Sequence, residues 1–170
     1  MSLQMIKTED IFKGLDDTPE VFGYEPLTEG KYKCRVESVE VREAASGLPY
    51  LVVRYANAEG YVREWLYFTE KAIKQTVRKL IVAGWNPVAS KWNIVELVEK
   101  GPEILNQELT VTVFRSDFND KTNYRVENVK GDREKDPDAL KIMAELKKNK
   151  KGCEQVSKAL TDRLNKMEGR

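Results

Sequence analysis

The chain contains no histidine, and its two cysteines, Cys34 and Cys153, stand far apart in 170 residues. Protein zinc sites draw mainly on Cys and His at short spacings, so zinc chemistry is close to excluded. The same absence removes histidine-dependent acid–base catalysis and catalytic triads. No Gly-x-x-x-x-Gly-Lys-Ser/Thr loop occurs, which rules out a P-loop nucleotide engine. The stretch from Asp117 to Asn123 starts like a calcium loop. Its sixth position, however, is Thr122 where Gly is required, and its twelfth is Asn128 where Glu is required. Acidic residues are plentiful, which leaves a magnesium-dependent nuclease formally open, but no paired-carboxylate spacing stands out. The expectation is a protein that is not an enzyme and carries no metal or cofactor.

Long apolar runs are also missing, and the first residues lack the basic-then-apolar pattern of a secretory signal. Two distant cysteines do not make a disulfide framework. A reducing cytoplasm is therefore the expected location. A large charge of one sign is absent too, because 29 Lys and Arg offset 28 Asp and Glu. That argues against the uniform field of a polybasic protein. The charge is unevenly spread: residues 1–30 hold two lysines against seven acidic residues, and residues 130–170 hold twelve basic against eight acidic.

What is present is periodicity. Residues 1–29 form an acidic, turn-rich lead-in with one short helical candidate over 8–15. From Lys31 the period is two, with Tyr32, Cys34 and Val36 as the apolar set. Val39 and Val41 then take over one residue out of phase, which predicts a β-bulge near Ser38. Turns at Ser46-Gly47 and Glu59-Gly60 bound a second strand over 50–55 and a third over 61–68. Thr69 is placed to cap a helix from Glu70, with Ile73, Val77, Leu80 and Ile81 on one face and Gly84 at its end. Residues 93–105 match no clear period. Leu109, Val111 and Val113 mark a fourth strand, and 124–129 a fifth, joined by a polar loop over 116–123. Beyond Gly131 the spacing is helical, first with Leu140, Met143 and Leu146, and after Gly152 with Val156, Leu160, Leu164 and Met167.

Three strands in a meander, a helix and two more strands give the connectivity of a five-stranded OB-type Greek-key barrel, with the helix between strands three and four. The expected organisation is an acidic lead-in over 1–29, an OB-like barrel over 30–130 and a helical extension over 131–170. A bulged first strand suits a barrel, since that strand must curl to pair in both halves of the sheet. An open antiparallel sheet with a helix on one face fits the same strand order.

Gly30-Lys31-Tyr32, Val36-Glu37-Ser38-Val39-Glu40, Ser46-Gly47-Leu48-Pro49-Tyr50-Leu51, the aromatic third strand and a helix ending Ala83-Gly84 carry a resemblance over roughly residues 25–130. In these segments the chain resembles a family of small bacteriophage and prophage proteins. The resemblance implies an OB fold, single-stranded DNA binding, an accessory role in DNA replication or recombination, and the cytoplasm of a bacterial host.

Single strands are held by stacking bases on aromatic rings while basic side chains follow the phosphates. Alternation sets Arg63, Trp65 and Tyr67 on one face of strand three, opposite Val62, Glu64, Leu66 and Phe68. On strand two it sets Tyr50, Val52 and Arg54 opposite Leu51, Val53 and Tyr55, and on strand one it sets Lys33, Arg35 and Glu37 outward. The groove of an OB barrel also takes in the loop between strands four and five, which here contains Arg115, Phe118, Lys121 and Asn123. The candidate binding set is therefore Lys33, Arg35, Tyr50, Arg54, Arg63, Trp65, Tyr67, Arg115, Phe118 and Lys121. Packing is the competing account, because rings suit any pleated surface and a basic residue opposite a core face is ordinarily a solvated one. Trp85 and Trp92 suit packing at the helix exit.

Single-stranded DNA is thus the expected partner, with RNA sharing the same stacking chemistry. The alternative is an interaction module whose C-terminal amphipathic helices dock on a phage replication or recombination protein, or on a second copy as a homo-oligomer.

Overall fold

The structure is a computed structural model, and it describes residues 25–145, 158–163 and 165–166. The short helix expected over 8–15, the break at Gly152 and Cys153 lie outside those residues. The protein is mainly β. Its strands are β1 (Gly30–Glu43), β2 (Pro49–Ala56), β3 (Tyr61–Tyr67), β4 (Leu109–Phe118) and β5 (Lys121–Lys130). All adjacent pairs are antiparallel, in the order β3-β2-β1-β4-β5.

β1 is the hinge of this sheet. Residues 30–34 pair with β4, and residues 35–43 pair with β2. Its register slips between Val36 and Ser38, where alternation predicts a bulge. The slip keeps Cys34 and Val36 buried on one side of it and Val39 and Val41 on the other. Without it, half of β1 would turn its apolar residues to solvent.

The barrel expectation needs correction in its finer parts. The ladder is open, with β3 and β5 as its edges and no hydrogen-bonded pairing between them among the described residues. Between β3 and β4 the chain makes two helices and a turn where one helix is expected: α1 (Ile73–Ala83), α2 (Ile94–Lys100) and a 3-10 turn (Gly101–Glu103). α1 starts at Ile73 rather than Glu70; Thr69 caps the turn that leads into it, its hydroxyl accepting from the Ala72 amide at 3.3 Å and its carbonyl from the amides of Ala72 and Ile73. α2 falls in the stretch without a clear period. It is short, and Asn93 caps it by accepting from the Glu96 amide at 3.3 Å. A 3-10 turn (Asp132–Lys135) and α3 (Pro137–Glu145) follow the sheet. Residues 158–163 and 165–166 are helical.

α1 buries Val77, Leu80 and Ile81 in the same core as Leu51, Val53, Val111, Val113 and Val129. It ends at Gly84, whose φ is +139° and where an added Cβ would stand 2.4 Å from the Ile104 carbonyl oxygen. Only glycine fits that crossing. Trp85 follows, almost fully buried, with Trp92 edge-on at 5.9 Å, so these two rings pack the helix exit. Cys34 is a buried free thiol; burial, with a smaller push from Glu59, raises its pKa to about 11 and leaves it unreactive. No helix among the described residues is long and apolar enough to cross a membrane.

Candidate nucleic-acid interface

Register fixes which side chains share the outer face of β1–β2–β3. One cross-strand row is Ser38, Arg54 and Arg63, the next is Glu40, Val52 and Trp65, and the third is Arg42, Tyr50 and Tyr67. Trp65 and Tyr67 are 42% and 43% exposed, whereas Val52 between Glu40 and Trp65 is only 3% exposed. Val52 is expected to face outward, and it does, but its flanking side chains shield it from water. Tyr50 stacks on Tyr67 with ring centroids 5.2 Å apart and planes tilted by 32°. The guanidinium of Arg54 lies 3.8 Å over the Tyr61 ring and ion-pairs with Glu37.

The inner face of β3 carries the opposite set: Val62, Leu66 and Phe68 are buried, and so is Glu64. A buried carboxylate is costly unless its oxygens are satisfied. Glu64 accepts a hydrogen bond from the Tyr55 hydroxyl at 2.9 Å on one oxygen and pairs with the Lys79 ammonium on the other. Burial, then the Glu64 carboxylate, hold the Tyr55 phenol well above its ordinary pKa, so it stays a neutral donor. Lys79 comes from α1, and the triad locks that helix to β3. Thr76 adds a second tie by donating to the Tyr67 carbonyl at 2.7 Å.

β4 and β5 form a longer hairpin than their alternation suggests. The expected loop over 116–123 contracts to Asn119-Asp120, both with positive φ (51° and 60°), as a tight two-residue hairpin turn requires. Register from this turn pairs Phe118 with Lys121, Ser116 with Asn123 and Phe114 with Arg125 on one face. On the other face Arg115 pairs with Tyr124 and Asp117 with Thr122. A slip between Thr112 and Val113 leaves Glu127 as the extra residue.

The two sheet edges face each other across an open cleft of about 560 Å³. β3 contributes Arg63, Glu64, Trp65 and Tyr67; the hairpin contributes Phe114, Asn123, Tyr124, Arg125 and Val126. Of the candidate residues, Arg63, Trp65 and Tyr67 therefore line one wall, with Tyr50 and Arg54 beside them on β2. Phe118, 70% exposed, and Lys121 stand at the hairpin tip. Lys33 sits apart in the β1–β4 half, opposite Thr110. Arg35 is exposed but tied down, donating to the Asn106 carbonyl at 2.8 Å. Arg115 is held by Asp117 at 3.1 Å on the hairpin face away from Phe114 and Phe118. Among the described residues no three Cys, Asp or Glu side chains converge as metal ligands would.

Sequence alternation passes over Phe114, Tyr124 and Arg125. The signal that locates them is the Asn119-Asp120 turn: counting outward from it pairs Phe114 with Arg125 and fixes the phase of the second wall. No curated protein matches the chain. A family model described as protein of unknown function, DUF669, matches residues 16–141, and on that match the chain belongs to the DUF669 family.

Proposed function

We propose that the protein binds single-stranded nucleic acid, DNA in the first instance, without catalysing a reaction on it. The observation that carries this reading is the pairing of exposed rings with a positive charge that no carboxylate neutralises on one strand: Trp65 and Tyr67 flank the cleft mouth together with Arg63. Exposed aromatic side chains of this size cost solvation unless a partner covers them, and every nucleobase presents a π-face that can. We further read the fold as an OB-type barrel left unsealed between β3 and β5, since β1 pairs in both halves and α1 plugs the core between these edges. Near-neutral net charge suits modest affinity. The resemblance of residues 25–130 supports a role in phage or prophage replication or recombination, in the cytoplasm of a bacterial host.

The alternative of a docking or oligomerising tail is less favoured at the positions described. Leu160 is fully buried in the chain's own core, and Arg163 pairs with Glu99 of α2 at 3.0 Å. That part of the apolar stripe is already used.

Titration with oligonucleotides while tryptophan emission is followed tests the proposal. Trp85 is almost fully buried and Trp92 is half-buried against it, away from the cleft lining, so Trp65 should dominate the response. Quenching that weakens as salt rises, and that is lost in Trp65→Ala, is the expected result. Absence of quenching and of any mobility shift at low salt would sink the reading. Competition between matched DNA and RNA strands separates the two chemistries.

A further inference from the structure

The described arginines divide by partner. Arg42, Arg54, Arg78, Arg115 and Arg163 ion-pair with Glu40, Glu37, Glu134, Asp117 and Glu99. Arg35 and Arg133 donate to the main-chain carbonyls of Asn106 and Trp85. Arg63, whose guanidinium lies 5.6 Å over the Tyr61 ring, and Arg125 make no hydrogen bond or ion pair with any described residue, and these two line the cleft, one on each wall.

A guanidinium is a planar fork that matches the oxygens of a phosphate. Two such forks line the same cleft, with Trp65 and Tyr67 on the β3 side and, on the hairpin side, Phe114 on the face of Arg125 and Tyr124 on the opposite face. The cleft, at about 560 Å³, is within the range of small-ligand sites and opens between two strand edges rather than on a flat sheet face. Glu64 lines it as well, but Tyr55 and Lys79 occupy its two oxygens, so its charge is offset before a phosphate arrives.

We propose that the cleft takes one unstacked nucleotide, its base between the β3 and β5 walls and its flanking phosphates on Arg63 and Arg125. This rests on the single-strand reading and deepens it: the strand is clamped across the seam instead of lying only on the outer face of β2–β3. A base can enter only when it is unpaired, so the clamp also supplies a physical basis for rejecting duplex.

The test is a titration of the full chain with a thymidine oligomer at several salt concentrations, reading Trp65 emission. Arg125→Ala should weaken binding about tenfold and reduce the salt slope by about one, and Arg63→Ala should do the same. Because both would hold one nucleotide, the double variant should lose less than the product of the single losses. Arg125 is exposed and makes no ion pair with a described residue, so its removal leaves the fold intact. Wild-type quenching with unchanged affinity and slope in Arg125→Ala overturns the clamp while leaving the single-strand reading standing. Multiplicative losses in the double variant place the two arginines on separate nucleotides and also overturn it. No wild-type quenching by any oligomer removes both proposals together.

Discussion

The two walls of the cleft carry similar chemistry but are built differently. The β3 wall stands on a buried face: Val62, Leu66 and Phe68 anchor every second residue, and the Tyr55–Glu64–Lys79 triad fastens the strand to α1. The β5 wall belongs to a hairpin whose outer half leaves the core. There Phe118 is 70% exposed, and Arg115, Asp117 and Thr122 replace apolar anchors. Position on the first wall is set by burial, and position on the second by a turn.

The largest effect should come from loosening the anchored wall. In Lys79→Met, Glu64 keeps its charge at a site where its side chain is only 9% exposed, with its cation removed. Breaking a buried pair in this way costs about 3 to 5 kcal/mol, far more than the pair contributes net. Urea unfolding measures it. A loss below about 1 kcal/mol would mean that water reaches Glu64 and that the triad does not hold β3.

Removing a ring from each wall comes next. Trp65→Ala should lower oligonucleotide affinity by about 1 to 3 kcal/mol. Phe118→Ala, at the exposed hairpin tip beyond the cleft lining, should cost about 1 kcal/mol or less, since a ring with so few anchors is less preorganised. Equal losses at the two positions, measured by the same titration, would erase the distinction between the walls.

Legibility in the sequence follows the same divide. β1 to β3 alternate cleanly because one face of each is buried, so the phase slip near Ser38 and the outward set Arg63, Trp65 and Tyr67 are readable from period two alone. Val52 shows where that reading stops: its direction follows from alternation, but its burial between Glu40 and Trp65 is a matter of cross-strand packing that period two does not carry. Over 114–123 the hairpin carries no apolar alternation, so the outer extent of β4 and β5 and the pairing of Phe114 with Arg125 depend on recognising a two-residue turn. α2 is hidden for another reason. It spans only 7 residues and follows two residues with positive φ, Lys91 and Trp92, a backbone that no local preference announces. That Arg35 and Arg115 are committed to Asn106 and Asp117 is likewise a matter of tertiary placement.

The turn itself offers a smaller change in the opposite direction. Asp120 has φ +60°, a region that costs an L-residue energy and glycine almost none. Asp120→Gly should raise stability by roughly 0.5 kcal/mol, the relief of strain being partly offset by the freer unfolded chain. Asn119→Val puts a β-branched residue at φ +51° and should instead destabilise the hairpin by about 1 to 2 kcal/mol. If the β5 wall takes its register from the turn, the second variant should weaken oligonucleotide binding while Trp65 still responds; retained affinity with a disrupted hairpin would detach that wall from the site.

The smallest effect concerns the far face of the hairpin. Arg115 is bound to Asp117, whose carboxyl is held below its ordinary pKa first by a hydrogen bond from Thr122 and then by the guanidinium of Arg115. A lowered folded pKa means that the contribution to hairpin order is present above the unfolded value, near 3.8, and is lost as pH falls through the folded one. Both side chains are more than half exposed, so solvent screens the pair, and the change should register locally, in the NMR signals of Asp117 and Thr122, without a shift in global unfolding. For the same reason Arg115→Ala should leave oligonucleotide affinity and its salt slope unchanged, in contrast to Arg125→Ala ten residues along the same hairpin. A loss at Arg115 equal to that at Arg125 would show that the strand wraps both faces of the hairpin, and that charge near the tip, rather than the phase set by Asn119-Asp120, decides where the phosphates go.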